Sequence, residues 1–283
     1  MWNRHVQTAL TVIIIAAFGA SGVPAMAGTA KELTGKLAAL ANGEHRSPAN
    51  RARNKYRHPV ETLSWFGIRD DMTVIEILPG GGWYTEILAP FLKDRGTFYA
   101  AGYDPDSKSR YERTSAQRFR DRLAKNPDLY GKVKPSIFGG DRMDIGPDGG
   151  ADMVLTFRNV HNWMNAGYAD KAFAAFYRAL KPSGILGLVE HRANPDKPQD
   201  KKARNGYVRE DYVIALARAA GFELVGSSEI NANLKDRKDY KNGVWTLPPN
   251  LRRGLGTKYS EDQLRAIGES DRMTLKFRKP QGG

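Results

Sequence analysis

Apolar runs that are typical of strands alternate with helical patterns along most of this chain. The strand-like runs are rich in β-branched and aromatic residues and span 73–78, 96–103, 133–138, 151–157, 185–190, 222–227 and 273–278. Helical spacing of apolar residues occurs between them, at 83–92, 107–125, 170–180 and 209–220. Alternation of this kind is typical of a mostly parallel sheet with helices on both faces. The sequence therefore predicts an α/β fold with a seven-stranded sheet.

The composition narrows the chemistry that is open to the chain. The sequence has no cysteine, which excludes disulfides, thiolate metal sites, iron–sulfur clusters and a catalytic cysteine. The histidines lack the spacing of a metal-binding motif, and we expect no metal: they are His5, His45, His58, His161 and His191. The net charge is +13, but without an aromatic-interleaved basic motif we expect no nucleic-acid partner. A small, anionic molecule is the partner that the charge favours, and the oligomeric state is left open.

The first 27 residues have the pattern of a secretory signal peptide. A basic start at Arg4 precedes an uncharged stretch, 6–23, and Ala25 and Ala27 flank a cleavage position. We predict cleavage between Ala27 and Gly28, and hence a periplasmic or secreted protein. The alternative is a membrane anchor, but the apolar stretch is short for a span of about 20 residues. No later segment is apolar for long enough, so we expect no membrane span after cleavage.

The mature chain is predicted to consist of a helical extension, 28–66, and an α/β domain, 67–283, in which 231–255 is a long surface loop. Within the extension, Ser47 followed by proline indicates a helix that ends near Arg57. Arg53 and Arg57 lie four residues apart and repel each other unless an anion or a carboxylate lies between them. The two arginines could cover an anionic substrate, and the alternative is a solvated face.

A glycine turn follows the first strand and indicates a ligand site. Ligands of open parallel sheets lie beyond the carboxyl ends of the strands, where glycine allows close backbone approach. The turn here consists of Pro79, Gly80, Gly81 and Gly82, and Asp104 follows the next strand, where a carboxylate can accept two ribose hydroxyls. A nucleoside-containing cofactor is therefore expected at this edge.

Two common nucleotide motifs are absent. The dinucleotide fingerprint G-x-G-x-x-G, counted from Gly80, would need glycine where Thr85 stands. No G-x-x-x-x-G-K-[ST] occurs, which excludes a P-loop nucleotide hydrolase. An NAD-dependent oxidoreductase is thus disfavoured.

The strand instead carries an acid, Glu76, with glycines four and six positions later. This pattern resembles the first motif of class I S-adenosylmethionine-dependent methyltransferases, acid-x-Gly-x-Gly-x-Gly, although Leu78 replaces its first glycine. The resemblance implies a Rossmann-like fold with S-adenosylmethionine as cofactor. It also implies that Glu76 and the glycine turn bind the cofactor, that Asp104 holds its ribose, and that Asp141 receives the adenine amine.

Four segments are similar to an exported bacterial subgroup of predicted methyltransferases. They are Tyr-Arg-His-Pro at 56–59 with Glu-Thr-Leu at 61–63, the strand and turn at 74–86, Thr-Phe-Arg-Asn-Val-His-Asn-Trp at 156–163, and Gly-Tyr-Val-Arg-Glu-Asp at 206–211. The resemblance implies a methyltransferase but leaves the methyl acceptor open.

Several polar residues follow the fourth and fifth strands, on the rim where the acceptor would lie. His161 is the candidate general base, since the unperturbed pKa of histidine is about 6.5, and the alternative is that it only holds its loop. Glu190 could orient the substrate or act as the base, or else pair with Arg192. His191 is a candidate substrate contact, together with Arg53 and Arg57.

Four more residues are candidates for cofactor contacts. Arg158 and Asn159 are expected to hold the cofactor or the substrate entrance. Trp83 and Tyr84 follow the glycines, where an aromatic ring could cover the sulfonium, and the alternative is core packing. The leading hypothesis is an exported methyltransferase with a small-molecule acceptor. The alternative is a non-catalytic module that binds a ligand in the same pocket, because the methyl donor is made in the cytoplasm.

Overall fold

Seven strands form one sheet in the computed structural model, which describes residues 29–282. The strands are β1 Thr73–Ile77, β2 Thr97–Gly102, β3 Lys134–Ile137, β4 Ala151–Phe157, β5 Leu180–His191, β6 Glu223–Ser228 and β7 Arg272–Arg278. Their order across the sheet is β3-β2-β1-β4-β5-β7-β6, with β7 antiparallel to both neighbours and the other pairs parallel. The predicted seven-stranded, mostly parallel sheet is confirmed.

Helices cover both faces of this sheet. They are α1 Ala30–Asn42, α2 Pro48–Arg51, α3 Asn54–Arg57, α4 Pro59–Phe66, α5 Thr85–Leu92, α6 Arg110–Ala124, α7 Pro127–Tyr130, α8 Val160–Ala166, α9 Ala169–Ala179, α10 Glu210–Ala219 and α11 Glu261–Ile267. Successive residues of β1 point to opposite faces, as the strand period requires. Val74 packs with α1, α4 and α5 on one face, whereas Ile75 packs with α8, α9 and α10 on the other.

The N-terminal region differs from the prediction of one helix between Ser47 and Arg57. Ser47 does cap a helix, since its hydroxyl accepts from the Asn50 amide at 3.1 Å, but that helix ends at Arg51 and a second turn begins at Asn54. The single-helix prediction is therefore wrong. The segment is nevertheless helical throughout much of 29–66, and Leu37 and Phe66 are buried in the core of the sheet domain.

Pro90 lies inside α5, a position where proline usually kinks or ends a helix, but α5 continues past it to Leu92. Proline lacks an amide hydrogen, so the carbonyl of Glu86, four residues earlier, loses its usual helical donor. The His45 ring supplies a replacement, because its Nε2 lies 2.9 Å from the Glu86 carbonyl oxygen. The helical extension thus provides a hydrogen bond that α5 lacks.

Three further expectations need correction. The helix after the glycine turn begins at Thr85 rather than at 83. Strand β5 begins at Leu180 rather than at 185, because Leu180 pairs with Ala151 ahead of a bulge. Helices α8 and α11 were not predicted. The segment 231–255 is only partly a surface loop, because Leu247 is buried and Gly243–Thr246 forms a 3₁₀ helix.

The predicted signal peptide, 1–27, lies outside the described residues, so its cleavage stays a prediction. Within residues 29–282, no helix has the length and apolar character needed to cross a membrane.

Candidate functional site

The glycine turn after β1 has the backbone geometry that a close ligand contact requires. Gly80 and Gly82 have positive φ angles of 59° and 75°, and the Gly82 amide donates to the Pro79 carbonyl at 2.9 Å. A Cβ placed on Gly81 would meet no atom within 4 Å. Leu78, which stands where the methyltransferase pattern has glycine, also adopts a left-handed φ of 45°. The turn therefore leaves open space above its own backbone.

That space belongs to a cavity of about 610 Å³, within the range of small-molecule sites. The glycine turn forms one wall, the carboxyl ends of β2 and β3 form the floor, and α6 forms the roof. The lining residues are Leu78, Pro79, Gly80, Gly81, Ala100, Gly102, Tyr103, Pro105, Tyr111, Ser115, Ala116, Arg118, Phe119, Arg120, Arg122, Pro135, Ser136 and Ile137. The contribution of α6 was not predicted.

The two acids expected at this cavity differ in their placement. Asp104 lies between Tyr103 and Pro105, both of which line the cavity, and it accepts from the Asp106 amide at 2.9 Å. Its second oxygen lies 3.9 Å from Arg142. Asp141 follows β3 and is exposed, outside the lining residues of the cavity. Neither acid itself lines the cavity, so a ribose contact by Asp104 and an adenine contact by Asp141 both stay predictions.

Glu76 is buried within β1 and does not line the cavity. Its carboxylate accepts a hydrogen bond from the Thr85 hydroxyl at 2.6 Å, and burial raises its pKa to about 7. The hydrogen bond joins the strand before the glycine turn to the helix after it. This geometry gives Glu76 a part in holding the turn, and a direct contact with a cofactor stays a prediction.

The two aromatic residues after the glycines face the helical extension rather than the cavity. The Trp83 ring lies between two guanidinium groups, 4.6 Å from Arg46 and 4.7 Å from Arg57, and its indole N–H donates to the Asn50 carbonyl at 3.1 Å. Tyr84 stacks on Phe157 at 3.5 Å. Both rings are buried, so the packing alternative describes them in this structure.

Asn159 and Arg158 follow β4 at the same edge. The Asn159 amide donates to the Ile77 carbonyl at 3.0 Å and so ties the end of β4 to the end of β1. Arg158 has a positive φ of 62°, and its amide donates to the Val189 carbonyl at 2.7 Å. Burial, followed by the charge of Arg272, lowers the pKa of the Arg158 side chain to about 10. Its guanidinium therefore lies among other cations.

His161, at the start of α8, and Glu190, near the end of β5, form a buried pair. Nδ1 of His161 lies 3.1 Å from Glu190 Oε1, and the His161 amide donates to Oε2 at 3.3 Å. The expected pairing of Glu190 with Arg192 is wrong, because Arg192 instead contacts Asp271 and Glu229. An ionised carboxylate accepts the Nδ1 hydrogen, which leaves Nε2 of the ring free to accept a proton.

His191 lies beside this pair. Its ring is 5.4 Å from the His161 ring, its Nδ1 is 2.5 Å from the Ser270 hydroxyl, and the Trp245 ring lies 5.9 Å from His161. Burial lowers the pKa of His191 well below its usual range, with His161 and nearby arginines adding to the effect.

Three residues from two separate parts of the chain form one possible metal-ligating group. One ligand atom each of His161, Glu190 and His191 lies within 4.8 Å of the others, although the sequence spacing gave no sign of it. The pKa of His191 is lowered by the charges of Arg57, Arg158 and Arg272. The same positive charges oppose the binding of a divalent cation at this group.

Arg53 and Arg57, expected to share one face, converge on one carboxylate. Nε of Arg53 lies 2.5 Å from Glu269 Oε1, and Nε of Arg57 lies 3.1 Å from Oε2. Of the alternatives for this pair, the structure shows the carboxylate between them. Sequence reasoning missed Glu269, Ser270, Arg272 and Trp245. Only the β5–β7 register, which places Arg272 opposite His191, brings the first three to the rim.

Comparisons with known proteins give matches in structure alone. No protein-family model matches the sequence, and no curated protein matches it. A methyltransferase from Aquifex aeolicus, described as S-adenosylmethionine-dependent, is 15% identical with a TM-score of 0.52, over 87% of this chain and 98% of that chain. The [4+2]-cyclase SpnF is 16% identical with a TM-score of 0.52, over 89% and 93%.

An O-methyltransferase family protein from Burkholderia thailandensis is 16% identical with a TM-score of 0.50, over 83% of this chain and 58% of that chain. Identities this low establish the fold alone. The chain therefore has the Rossmann-like fold of class I methyltransferases, as the first motif predicted.

Proposed function

We propose that this protein is an S-adenosylmethionine-dependent methyltransferase that acts on a small molecule. The observation that carries the proposal is the cavity at the glycine turn, where open space above Gly81 adjoins the segment that holds Asp104. A cavity of about 610 Å³ at this edge of a class I methyltransferase fold suits an adenosyl cofactor.

The residues of the cavity suggest how the cofactor would be held. The backbone of Gly80 and Gly81 allows close approach, and the Asp104 carboxylate can accept hydrogen bonds from the ribose. Asn159 fixes the end of β4 against β1, next to the expected position of the reacting methyl group. S-adenosylmethionine supplies a methyl group that its positive sulfonium has already activated.

The chain's own contribution to the reaction is positioning and a base. Nε2 of His161 would take the proton from an acceptor hydroxyl or amine while the acceptor's lone pair forms the bond to the methyl carbon and the carbon–sulfur bond breaks toward sulfur. Glu190 holds the ring through Nδ1 and stabilises the imidazolium that results. His161 is thus the catalytic base, and Glu190 positions it.

Calorimetric titration with S-adenosylhomocysteine tests the cofactor assignment. Asp104→Asn keeps an acceptor for the Asp106 amide but loses the charge, and we expect its affinity to fall about 10- to 100-fold, as for a lost charge-assisted hydrogen bond. Asp148→Ala, a change at an exposed acid, should leave binding unchanged. If the wild type binds NAD and neither S-adenosyl compound, the proposal fails.

Methyl transfer is tested separately with radiolabelled S-adenosylmethionine and small molecules extracted from the host's envelope. His161→Ala should retain S-adenosylhomocysteine binding but lose transfer by about 100-fold or more, the usual contribution of a general base. If His161→Ala and the wild type transferred the methyl group equally, His161 would not be the general base, although the cofactor assignment would stand. Binding without any transfer by the wild type would support a non-catalytic module.

We also propose that the protein is exported, on the basis of the signal pattern in residues 1–27. Periplasmic fractionation followed by N-terminal sequencing should give a chain that begins at Gly28. An intact Met1 in that fraction, or retention of the protein in the cytoplasm, would contradict the proposal.

A further inference from the structure

Four arginines meet at the rim of the sheet, and we call them the arginine cluster: Arg53, Arg57, Arg158 and Arg272. Three of them donate to a single acceptor, Glu269, which is buried. The fourth, Arg158, lies close enough for its charge to lower the pKa of Arg57. Among residues 29–282, Glu269 is the one carboxylate that contacts the cluster, so most of the positive charge of the four arginines is left uncompensated.

Two donors of the cluster are buried without a partner among residues 29–282. They are Nη1 of Arg57 and Nε of Arg272, on side chains that are 3% and 2% exposed. A buried charged donor that lacks an acceptor is costly, and proteins normally pair such groups. Burial lowers the pKa of Arg57 well below its usual range, and the charges of the other three arginines lower it further.

Three arginines of the cluster, Arg57, Arg158 and Arg272, line a small cavity. Its volume of about 10 Å³ is enough for one water molecule or one ligand oxygen. Its lining residues are Arg57, Tyr84, Phe157, Arg158, Val189, Asn231 and Arg272. Arg158 is only partly buried, so the cluster is accessible from its side.

The cluster lies beside the proposed catalytic pair. Arg158 precedes His161 by three residues at the end of β4, and Arg272 pairs with His191 across β5 and β7. The charges of Arg57, Arg158 and Arg272 all lower the pKa of His191, whose ring is 5.4 Å from that of His161. A molecule anchored at the cluster would therefore lie next to the base.

We propose that the arginine cluster binds the oxyanion of the substrate, a carboxylate or a phosphate, with one oxygen in the small cavity and another paired with Arg158. The planar guanidinium groups suit such two-point pairing. That the bound anion is a substrate rests on the proposed function, in which the cluster orients a hydroxyl or amine of the same molecule toward His161. The binding of the anion itself does not depend on methyl transfer.

The rival occupant of the cavity is a single water molecule. A water could accept from Nη1 of Arg57 and donate to Oδ1 of Asn231, which is also buried without a partner among the described residues. It would satisfy these hydrogen bonds but add no negative charge. An anion satisfies the donors and reduces the charge deficit, which is why we favour it.

Thermal unfolding of the full-length mature protein distinguishes the two occupants. The probes are sodium acetate and inorganic phosphate, with acetamide as a neutral analogue of acetate and with ionic strength held constant by sodium chloride. A bound anion raises the unfolding temperature in a saturable manner. We expect this rise with acetate, phosphate or both, and none with acetamide; a larger rise with one probe identifies the preferred oxyanion.

Variants locate the site. Arg158→Gln should weaken the apparent affinity about tenfold or more, and Arg158→Lys should restore it in part, since lysine keeps the charge but loses the fork. Arg178→Gln, at an exposed arginine paired with Asp148, is the matched control and should respond as the wild type does. The absence of any anion-specific rise, or an undiminished rise in Arg158→Gln, would overturn the inference.

Titration with S-adenosylhomocysteine keeps this test separate from that of the proposed function. If S-adenosylhomocysteine binds and the anions do not, the cluster holds water and only this inference fails. If the anions bind and S-adenosylhomocysteine does not, the anion site stands and the proposed methyltransferase falls.

Discussion

Glu76 should make the stability of this protein depend on pH. Burial raises its pKa from 4.5 to about 7, so the folded state holds the proton more tightly than the unfolded chain. For this group alone, the free energy of unfolding is therefore highest below about pH 4.5. It falls as the pH rises from there through 7. Each pKa unit corresponds to 1.36 kcal/mol, which gives about 3 kcal/mol across the window.

Glu76→Gln removes the titratable carboxyl group but keeps a side-chain oxygen that can accept the hydrogen bond from the Thr85 hydroxyl. Urea unfolding, followed by circular dichroism at pH 5 and at pH 8, should show that the wild type loses about 2.5 kcal/mol more than the variant over this interval, since part of the effect is already lost at pH 5. The exposed variant Glu223→Gln serves as the control and should retain the wild-type dependence. Equal pH dependence in wild type and Glu76→Gln would refute the inference that this carboxyl group is buried and protonated in part at neutral pH.

Other substitutions test the packing that supports the site. Gly187→Ala should lower the free energy of unfolding by about 1–3 kcal/mol, because its Cβ would lie 2.7 Å from Leu155 and 2.8 Å from Phe66. Gly81→Ala meets no atom within 4 Å and should leave urea stability unchanged while weakening S-adenosylhomocysteine binding measured by calorimetry. His45→Ala should cost about 1–2 kcal/mol, and clearly less in a Pro90→Ala background that restores the helical donor, as a double-mutant cycle would show.

The central strands could be predicted because their signals are local. Residues 73–77 and 151–157 are short, mostly apolar runs bounded by turn residues, and the structure has strands at those positions. The start of β5 could not be predicted, since Leu180 belongs to the strand only through its pairing with Ala151. The break in the predicted helix at 47–57 has a similar origin. Arg53 and Arg57 bind Glu269, more than two hundred residues later in the chain.

The candidate site, like the fold, could be predicted only where the sequence signal is local. The sequence indicated the glycine turn, Asp104, His161 and Glu190, because each lies at or shortly after the carboxyl end of a strand that is visible in the pattern. The sequence did not indicate the hydrogen bond between His161 and Glu190, and it favoured Arg192 as the partner of Glu190. Ser270 reaches His191 only because β7 returns beside β5, and such an antiparallel pairing leaves no mark within either segment.

Solved structures of this fold include both a methyltransferase and the [4+2]-cyclase SpnF, so the fold does not by itself select a reaction. Selection must come from the residues that surround the acceptor. In the function that we propose, those residues come from separate regions: His161 from α8, Glu190 from β5, Glu269 from the segment before β7, and Arg57 from the helical extension. The contact between Arg57 and Glu269 would make the extension one wall of the proposed acceptor region, so we expect a chain lacking 29–66 to lose the proposed anion site together with the packing of α5.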